Sequence, residues 1–397
     1  MDAHSSAMKD AAPVLLWQPL TIRGLTLKNR IVIAPMAMYS AHEGFADDFH
    51  MVHLGRFALG GAGLVFMEAT AVSRQGRITA GCAGLWLDAQ IAPLRRVTDF
   101  LHRSGTAAGI QLCHSGHKGS SQRPWEGGKP LTARGCQGGD QAWETAGVAA
   151  EPFDNGWPPP HAMTAEDLDA VEQDFVAAAE RACKAGFDVI ELHCAHGYLL
   201  HSFLSPLTNS RTDGYGGDLQ GRMRFPLRVA AAVRRVWPAD KPLFVRVSAV
   251  DGVDVGWTMD DTVAFATALQ PLGVDAVDCS SGGMRLTRRQ ALVSRVPGFQ
   301  VPFAARVRRE AGLASVAVGL IRDAGHAEAI LRAGEADLIA VAREALVNPN
   351  WSAETALHLL GDEGWNRWPD QFGWWLLRRA RQQGESFGPS RQVAAEG

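Results

Sequence analysis

Eight short apolar runs recur along the chain, each followed by a loop and usually by a segment with helical spacing. In order they are IVIAP (31–35), AGLVFMEAT (62–70), AAGIQLCH (107–114), FDVIELH (187–193), PLFVRVSA (242–249), VDAVDCSS (274–281), ASVAVGL (314–320) and ADLIAVAR (336–343). Near-continuous β-branched and apolar runs of this length fit strands covered on both faces, as in a parallel sheet. The intervening helices are well marked. TAEDLDAVEQDFVAAAERACKAG offers Thr164 as N-cap with Asp167 three residues on, then Leu168, Val171, Phe175 and Ala179 at helical spacing, and Gly186 as the stop. DAGHAEAILRAGE reads the same way, while Pro226, in RMRFPLRVAAAVRRVW, either opens or kinks its helix. Eight β–α units predict a TIM (β/α)8 barrel rather than two doubly wound domains.

Three segments stand outside the repeat. LTIRGLTLKNR (20–30) predicts an N-terminal hairpin that could plug the lower end of the barrel. Residues 119–161, rich in Gly, Pro and Trp, form a long insertion after strand three; loops of this length are usually lids or binding loops. The tail, 361–397, carries WNRWPDQFGWWLLRRARQQ, too aromatic for a solvated linker. The expected organisation is one domain over residues 1–397, with the barrel at about 31–360.

Composition narrows the class. The chain has 397 residues, 46% apolar and 20% charged, with formal net charge −3, an ordinary globular composition long enough for a large core. That balance gives no reason to expect a nucleic-acid or anionic membrane partner. No run is long enough to cross a bilayer, and the N-terminus has no sustained apolar leader. The six cysteines, at 82, 113, 136, 183, 194 and 279, form no CxxC pair, so a reducing compartment, most simply the cytoplasm, is expected.

In such a barrel the chemistry sits at the C-terminal ends of the strands, and the unusual residues of this chain fall there. Strand one ends in APMAMY and strand two in Glu68-Ala69-Thr70. Strand three carries Gln111 and His114, strand four ends at His193, and strand five contains Arg246. Alternation puts Phe244, Arg246 and Ser248 on one face. If that face is inward, the guanidinium needs an anionic partner, either a structural Asp or Glu or a ligand that carries or develops negative charge. Gly319 and Arg343, after strands seven and eight, occupy the usual phosphate corner, although a surface salt bridge would also account for Arg343. His193, His196 and Tyr198 allow three readings. Zinc would want further ligands, and no obvious third one follows. A structural role would need only hydrogen bonds. Paired donors aimed at one oxygen, with a phenol nearby as proton source, would suit a developing enolate.

Six blocks, in order, resemble the Old Yellow Enzyme flavoproteins, most closely their thermophilic-like branch and its xenobiotic reductases: LTLKNRIVIAPMAMYS, GRITAGCAGLW, GIQLCHSGHK, SSQRPWEG, ELHCAHGYLLHSFLSPLTNSRTDGYGG and ADLIAVAREALVNP. The resemblance covers roughly residues 17–378. It implies an FMN-dependent ene-reductase that takes electrons from NADPH or NADH and reduces enones, enals or nitro compounds. Ala34, Pro35, Met36, Ala37 and Ala69 would line the flavin, Gln111 its pyrimidine edge and Arg246 its N1/O2 side. Ala342 and Arg343 would hold the phosphate. His193 and His196 would grip the substrate oxygen, Tyr39 would help orient it, and Tyr198 would donate the proton. Two departures bear on this. The branch usually has cysteine where this chain has Ala37. Many members also insert a C-terminal arginine into a neighbouring subunit's site, whereas here Trp375, with Trp374, would wall the pocket. A homodimer or larger homo-oligomer is expected. The alternatives are ketone desaturation or nitro and xenobiotic reduction on the same fold, a metal-dependent hydrolase built on the two histidines, and a non-catalytic flavin-binding module.

Overall fold

The computed structural model describes residues 12–132, 140–284 and 293–385. Cys136, a short part of the insertion and the last residues of the tail lie outside that description.

The eight apolar runs form eight strands: β1 (Ile31–Ile33), β2 (Leu64–Ala71), β3 (Ala107–Cys113), β4 (Val189–Cys194), β5 (Leu243–Ser248), β6 (Ala276–Ser280), β7 (Ala314–Ala317) and β8 (Leu338–Val341). Each pairs in parallel with its neighbours in sequence, and β8 pairs with β1, closing the barrel. Each strand is followed by a helix: α1 (Asp48–Leu59), α2 (Ile91–Arg103), α3 (Ala165–Lys184), α4 (Leu219–Val236), α5 (Met259–Leu269), α6 (Val301–Ala311), α7 (Ala324–Arg332) and α8 (Trp351–Leu360). The chain is therefore a TIM barrel.

Local chemistry sets the helix starts. Thr164 caps α3 by accepting the Asp167 N–H while the Asp167 carboxylate takes the Thr164 N–H, a reciprocal box that satisfies two orphan donors. Asp323 caps α7 in the simpler one-way manner. Pro226 does not open its helix. Asp218 caps α4, and the buried Pro226 sits well inside it, leaving the Arg222 carbonyl without an in-helix donor.

Strands Leu20–Ile22 and Leu25–Leu27 form the expected antiparallel hairpin. Their apolar side chains pack on Leu64, Ala107, Val189, Ala276 and Leu338, residues at or near the start of their strands, and on the inward Phe66 and Phe244. Burying a side chain such as Leu27 contributes roughly 1.5–3 kcal/mol. The hairpin thus closes the barrel's lower end with apolar surface, and polar side chains are left for the upper layers.

The insertion is tied down at several points. Arg123 pairs with Asp140 at 2.8 Å, and the Trp143 indole donates to the Gln75 carbonyl at 3.1 Å. The tail folds into a helix, Asp370–Gln383, whose Leu376, Leu377 and Ala380 pack with Leu357 and Trp365. No helix among the described residues is long and apolar enough to cross a membrane.

Candidate active site

The floor of the upper mouth begins where β1 ends. The Ala34 N–H donates to the Val341 carbonyl at 2.9 Å, so the segment Ala34–Ala37 is pinned beside β8, with Pro35, Met36 and Ala37 half-buried. The next turn is held by Glu68, which accepts from the Met38 N–H at 2.9 Å and the Tyr39 N–H at 3.4 Å. Glu68 is free to do this because the β2–β3 register slips between Met67 and Ala69; a bulge re-aims its side chain out of the ladder. Behind it, His50 lies 3.4 Å from Glu68 and 2.9 Å from Asp47. Burial alone would lower the His50 pKa, but these two carboxylates hold it above the ordinary value. Tyr39 adopts a left-handed backbone (φ 53°), and its carbonyl accepts from Arg123 Nε at 3.3 Å, so the insertion grips this turn. Burial, with Cys82 and Glu68 nearby, pushes the Tyr39 phenol up.

The histidine pair sits at the end of β4. His193 Nδ1 accepts the Ala195 N–H at 3.2 Å, which leaves the proton on Nε2. His196 Nδ1 lies 3.4 Å from that nitrogen, and its Nε2 lies 2.7 Å from Ser280 Oγ. Gln300 Nε2 already donates to Ser280 Oγ at 3.2 Å, so the serine hydroxyl is placed to donate to His196 and leave a proton on His196 Nδ1. Both imidazoles then present N–H groups to one point. Burial, aided by the Arg246 charge, drives both pKa values well below 6.5, so both rings are neutral near pH 7.

The backbone of His196 is unusual. It has φ 61°, donates its N–H to Ser248 Oγ at 2.9 Å and receives Lys118 Nζ at its carbonyl at 2.7 Å. A Cβ on Gly283 would fall 2.1 Å from His196 Cα, so only glycine allows this approach. The following Gly197 N–H donates to His201 Nδ1 at 2.9 Å, and His201 Nε2 meets the buried Asp251 at 3.2 Å. This braces the turn that delivers Tyr198, which stands edge-on to the His193 ring at a centroid distance of 5.0 Å. The Tyr198 hydroxyl has no hydrogen bond to another described residue, and burial raises its pKa well above the ordinary value.

Beneath the histidines lies a polar layer. Gln111 Nε2 donates to Glu191 Oε1 at 2.7 Å, and Arg246 Nη1 lies 3.3 Å from Asp278 Oδ2. Arg246 is 7% exposed and points inward, as its alternation with Phe244 predicts; it does have a structural partner, yet its buried Nε has none. Beside it opens a cleft of about 600 Å³ lined by Arg246, Gly319, Ala342 and Arg343, with Arg322 and Gln300. Gly319 has φ 122°, and a Cβ there would come within 2.8 Å of Gln300 Oε1. Arg343 is exposed and forms no ion pair among the described residues, so no surface salt bridge accounts for it.

The structure brings together Ala34–Ala37 with Glu68, His193 with His196 and Tyr198, Gln111 with Glu191, and Arg246 with Gly319, Ala342 and Arg343. It does not draw Trp375 in: the side chain is 66% exposed, stacked edge-on against Trp374 on the outer tail helix. Among the described residues, no three His, Cys, Asp or Glu side chains gather as a metal-binding set. Sequence reasoning missed Glu191, Asp278, Ser280, Lys118 and Arg322. Alternation with Val189 and His193 would have put Glu191 inward.

Comparisons with known proteins give the chain's family. The profile of the NADH:flavin oxidoreductase / NADH oxidase family matches residues 15–360. The chain belongs to that family. Among its curated members, an NADPH dehydrogenase of Bacillus velezensis is 44% identical over 346 residues, covering 87% of this chain and 95% of the relative. One of Bacillus subtilis is 43% identical over 350 residues, covering 88% and 96%. The solved structure of morphinone reductase in complex with tetrahydroNAD superimposes with a TM-score of 0.69 at 26% identity, covering 87% of this chain and 91% of that one. As a member of the flavin oxidoreductase family, the chain is an NAD(P)H:flavin oxidoreductase that uses FMN. Its residues fit that cofactor: a buried, unpartnered Arg246 Nε suits an electron-rich heterocycle edge, and the exposed guanidinium groups of Arg322 and Arg343 beside the cleft suit a phosphate.

Proposed function

We propose that this oxidoreductase reduces the C=C bond of α,β-unsaturated carbonyl or nitro compounds, small molecules that enter from the upper mouth. The observation that carries the reading is the neutral imidazole pair, His193 and His196, converging beside a Tyr198 hydroxyl with no partner among the described residues. Bound FMN would supply the hydride chemistry between NAD(P)H and the alkene. Everything else falls to the chain. His193 Nε2–H and His196 Nδ1–H bind the substrate's carbonyl or nitro oxygen and stabilise the charge that develops there. Donors of this kind are worth roughly 10²–10³ in rate each. Tyr198 delivers a proton to the α-carbon; its raised pKa keeps the proton in place until the carbon demands it. Tyr39, fixed by Glu68 and Arg123, orients the substrate.

For the cofactor, Ala34, Pro35, Met36, Ala37 and Ala69 would line the ring, Gln111 would meet its pyrimidine edge and Arg246 its N1/O2 side. Gly319, Ala342 and Arg343 would hold the phosphate. The exposed Phe372, Trp374 and Trp375 support a homo-oligomer in which Trp375 walls a neighbour's pocket. The buried free thiols Cys82, Cys113, Cys194 and Cys279 support a cytoplasmic location.

The test separates the half-reactions by stopped flow. Replacing Tyr198 with Phe should slow oxidation by cyclohexenone by about 10²-fold or more while leaving reduction by NADPH nearly intact. Equal slowing of both would remove Tyr198 as proton donor, and an enone that fails to reoxidise the wild-type protein would end the ene-reductase reading.

A further inference from the structure

Two carboxyl groups and one guanidinium share the buried interior of the barrel just below the histidines. Glu191 and Asp278 are both almost fully buried, as is Arg246. The ionisable or polar groups nearest them are Gln111 from β3 and His193 from β4, with Cys194 and Cys279 next along the chain on the outer faces of β4 and β6. Burial raises both thiol pKa values and lowers that of His193, so none of these neighbours adds charge near pH 7. If both carboxyls were ionised, the layer would carry a net charge of −1 with no solvent to screen it, which is costly in a low-dielectric interior.

The hydrogen bonding leaves one acceptor on each carboxyl without a donor. Glu191 Oε1 receives Gln111, and Asp278 Oδ2 receives Arg246, but Glu191 Oε2 and Asp278 Oδ1 are buried with no donor. Strand β5 runs between β4 and β6, so the inward Glu191 and Asp278 flank Arg246 from either side and each carboxyl bears on the other's protonation. One proton between them would satisfy both orphan oxygens and bring the layer to neutrality. Burial, reinforced by the neighbouring Asp278 charge, holds the Glu191 carboxyl well above the usual range.

We propose that Glu191 and Asp278 share one proton beneath Arg246 and that this pair couples proton uptake to reduction of the flavin. The proposal rests on the reading that Arg246 faces the N1/O2 side of FMN. Two-electron reduction to the anionic reduced ring takes up two electrons and one proton at the flavin and leaves one new negative charge. With the pair already protonated, the interior needs nothing more. At alkaline pH, where the pair has lost its proton in the oxidised protein, the new charge draws a second proton from solvent onto Glu191–Asp278. Glu191 and Asp278 are thus positioning residues, acting on the cofactor through Arg246.

The measurement is the midpoint potential of the FMN-loaded protein between pH 6 and 10. In the wild type the slope should rise from one proton to two protons per electron pair on the alkaline side. Glu191→Gln, which is isosteric, should hold at one proton throughout. Asp278→Asn should also abolish the alkaline rise, because Glu191 alone then pairs with Arg246 as a carboxylate. An infrared carboxylic-acid band at neutral pH, present in the wild type and lost in E191Q, should appear with or without FMN. A one-proton slope across the whole range in the wild type, a rise that persists in E191Q, or absence of the band would each overturn the shared proton. Arg246→Ala separates this from the reading beneath it. If that variant binds FMN as tightly as the wild type with the same potential, Arg246 does not face the ring; if it loses FMN while the wild-type slope stays single, only the carboxyl pair is wrong.

Discussion

His196 can donate from Nδ1 only while another group donates to its Nε2, and Ser280 Oγ at 2.7 Å, itself held by Gln300, is that group. Outer partners that fix an imidazole's tautomer are worth roughly 10–100-fold in metal sites, and the same range is expected here. Ser280→Ala should therefore weaken binding of a phenolate or enone oxygen and slow alkene reduction about 10-fold or more, with NADPH oxidation little changed. The pH profile offers a companion check. Because His193 and His196 titrate well below 6.5 and Tyr198 well above 10, none of them changes charge between about pH 6.5 and 9. Alkene reduction by the wild type should therefore be flat from about pH 6.5 to 7.5, below the range in which Lys118 and the Glu191–Asp278 pair lose their protons. An inflection near pH 6.5 that disappears in S280A would mean that His196 is charged in the working enzyme.

At the scale of elements, the hairpin and the barrel strands are matched halves. Leu27 packs against the inward residues at the strands' lower ends, so Leu27→Ala should destabilise the protein by about 2–5 kcal/mol in urea unfolding. A loss below 1 kcal/mol would show that the hairpin is ornament to the barrel. These elements were readable in advance because each strand is buried on both faces and so reads as a near-continuous apolar run. The hairpin too was readable, as two short apolar runs around Arg23-Gly24. The site was readable only where residue type was odd for its place: Arg246 in a strand, or histidines at a strand tip. Glu191 and Asp278 escaped notice because a single carboxylate in an apolar run resembles an outward position until the register is known. Ser280 and Lys118 act through geometry, one on a ring nitrogen and the other on a carbonyl, which composition does not encode. Trp375 sits on a helix that its own barrel does not fold over the mouth.

For the whole molecule, that helix is the open edge. Its outer face presents Phe372, Trp374 and Trp375 to solvent, an apolar group more often covered than bare. Light scattering should give a mass above that of one chain, and Trp374→Ala with Trp375→Ala should shift it toward the monomer while raising KM for the enone. A monomeric wild type would separate the tail from any neighbour's pocket.

The plug at the base of the barrel has a further consequence. With the base filled, NAD(P)H and the proposed acceptor are both expected to come by the upper mouth and to take turns at the histidine pair. Double-reciprocal plots should give parallel lines, and each reactant in excess should block the other; intersecting lines would mean that both reactants occupy the mouth together.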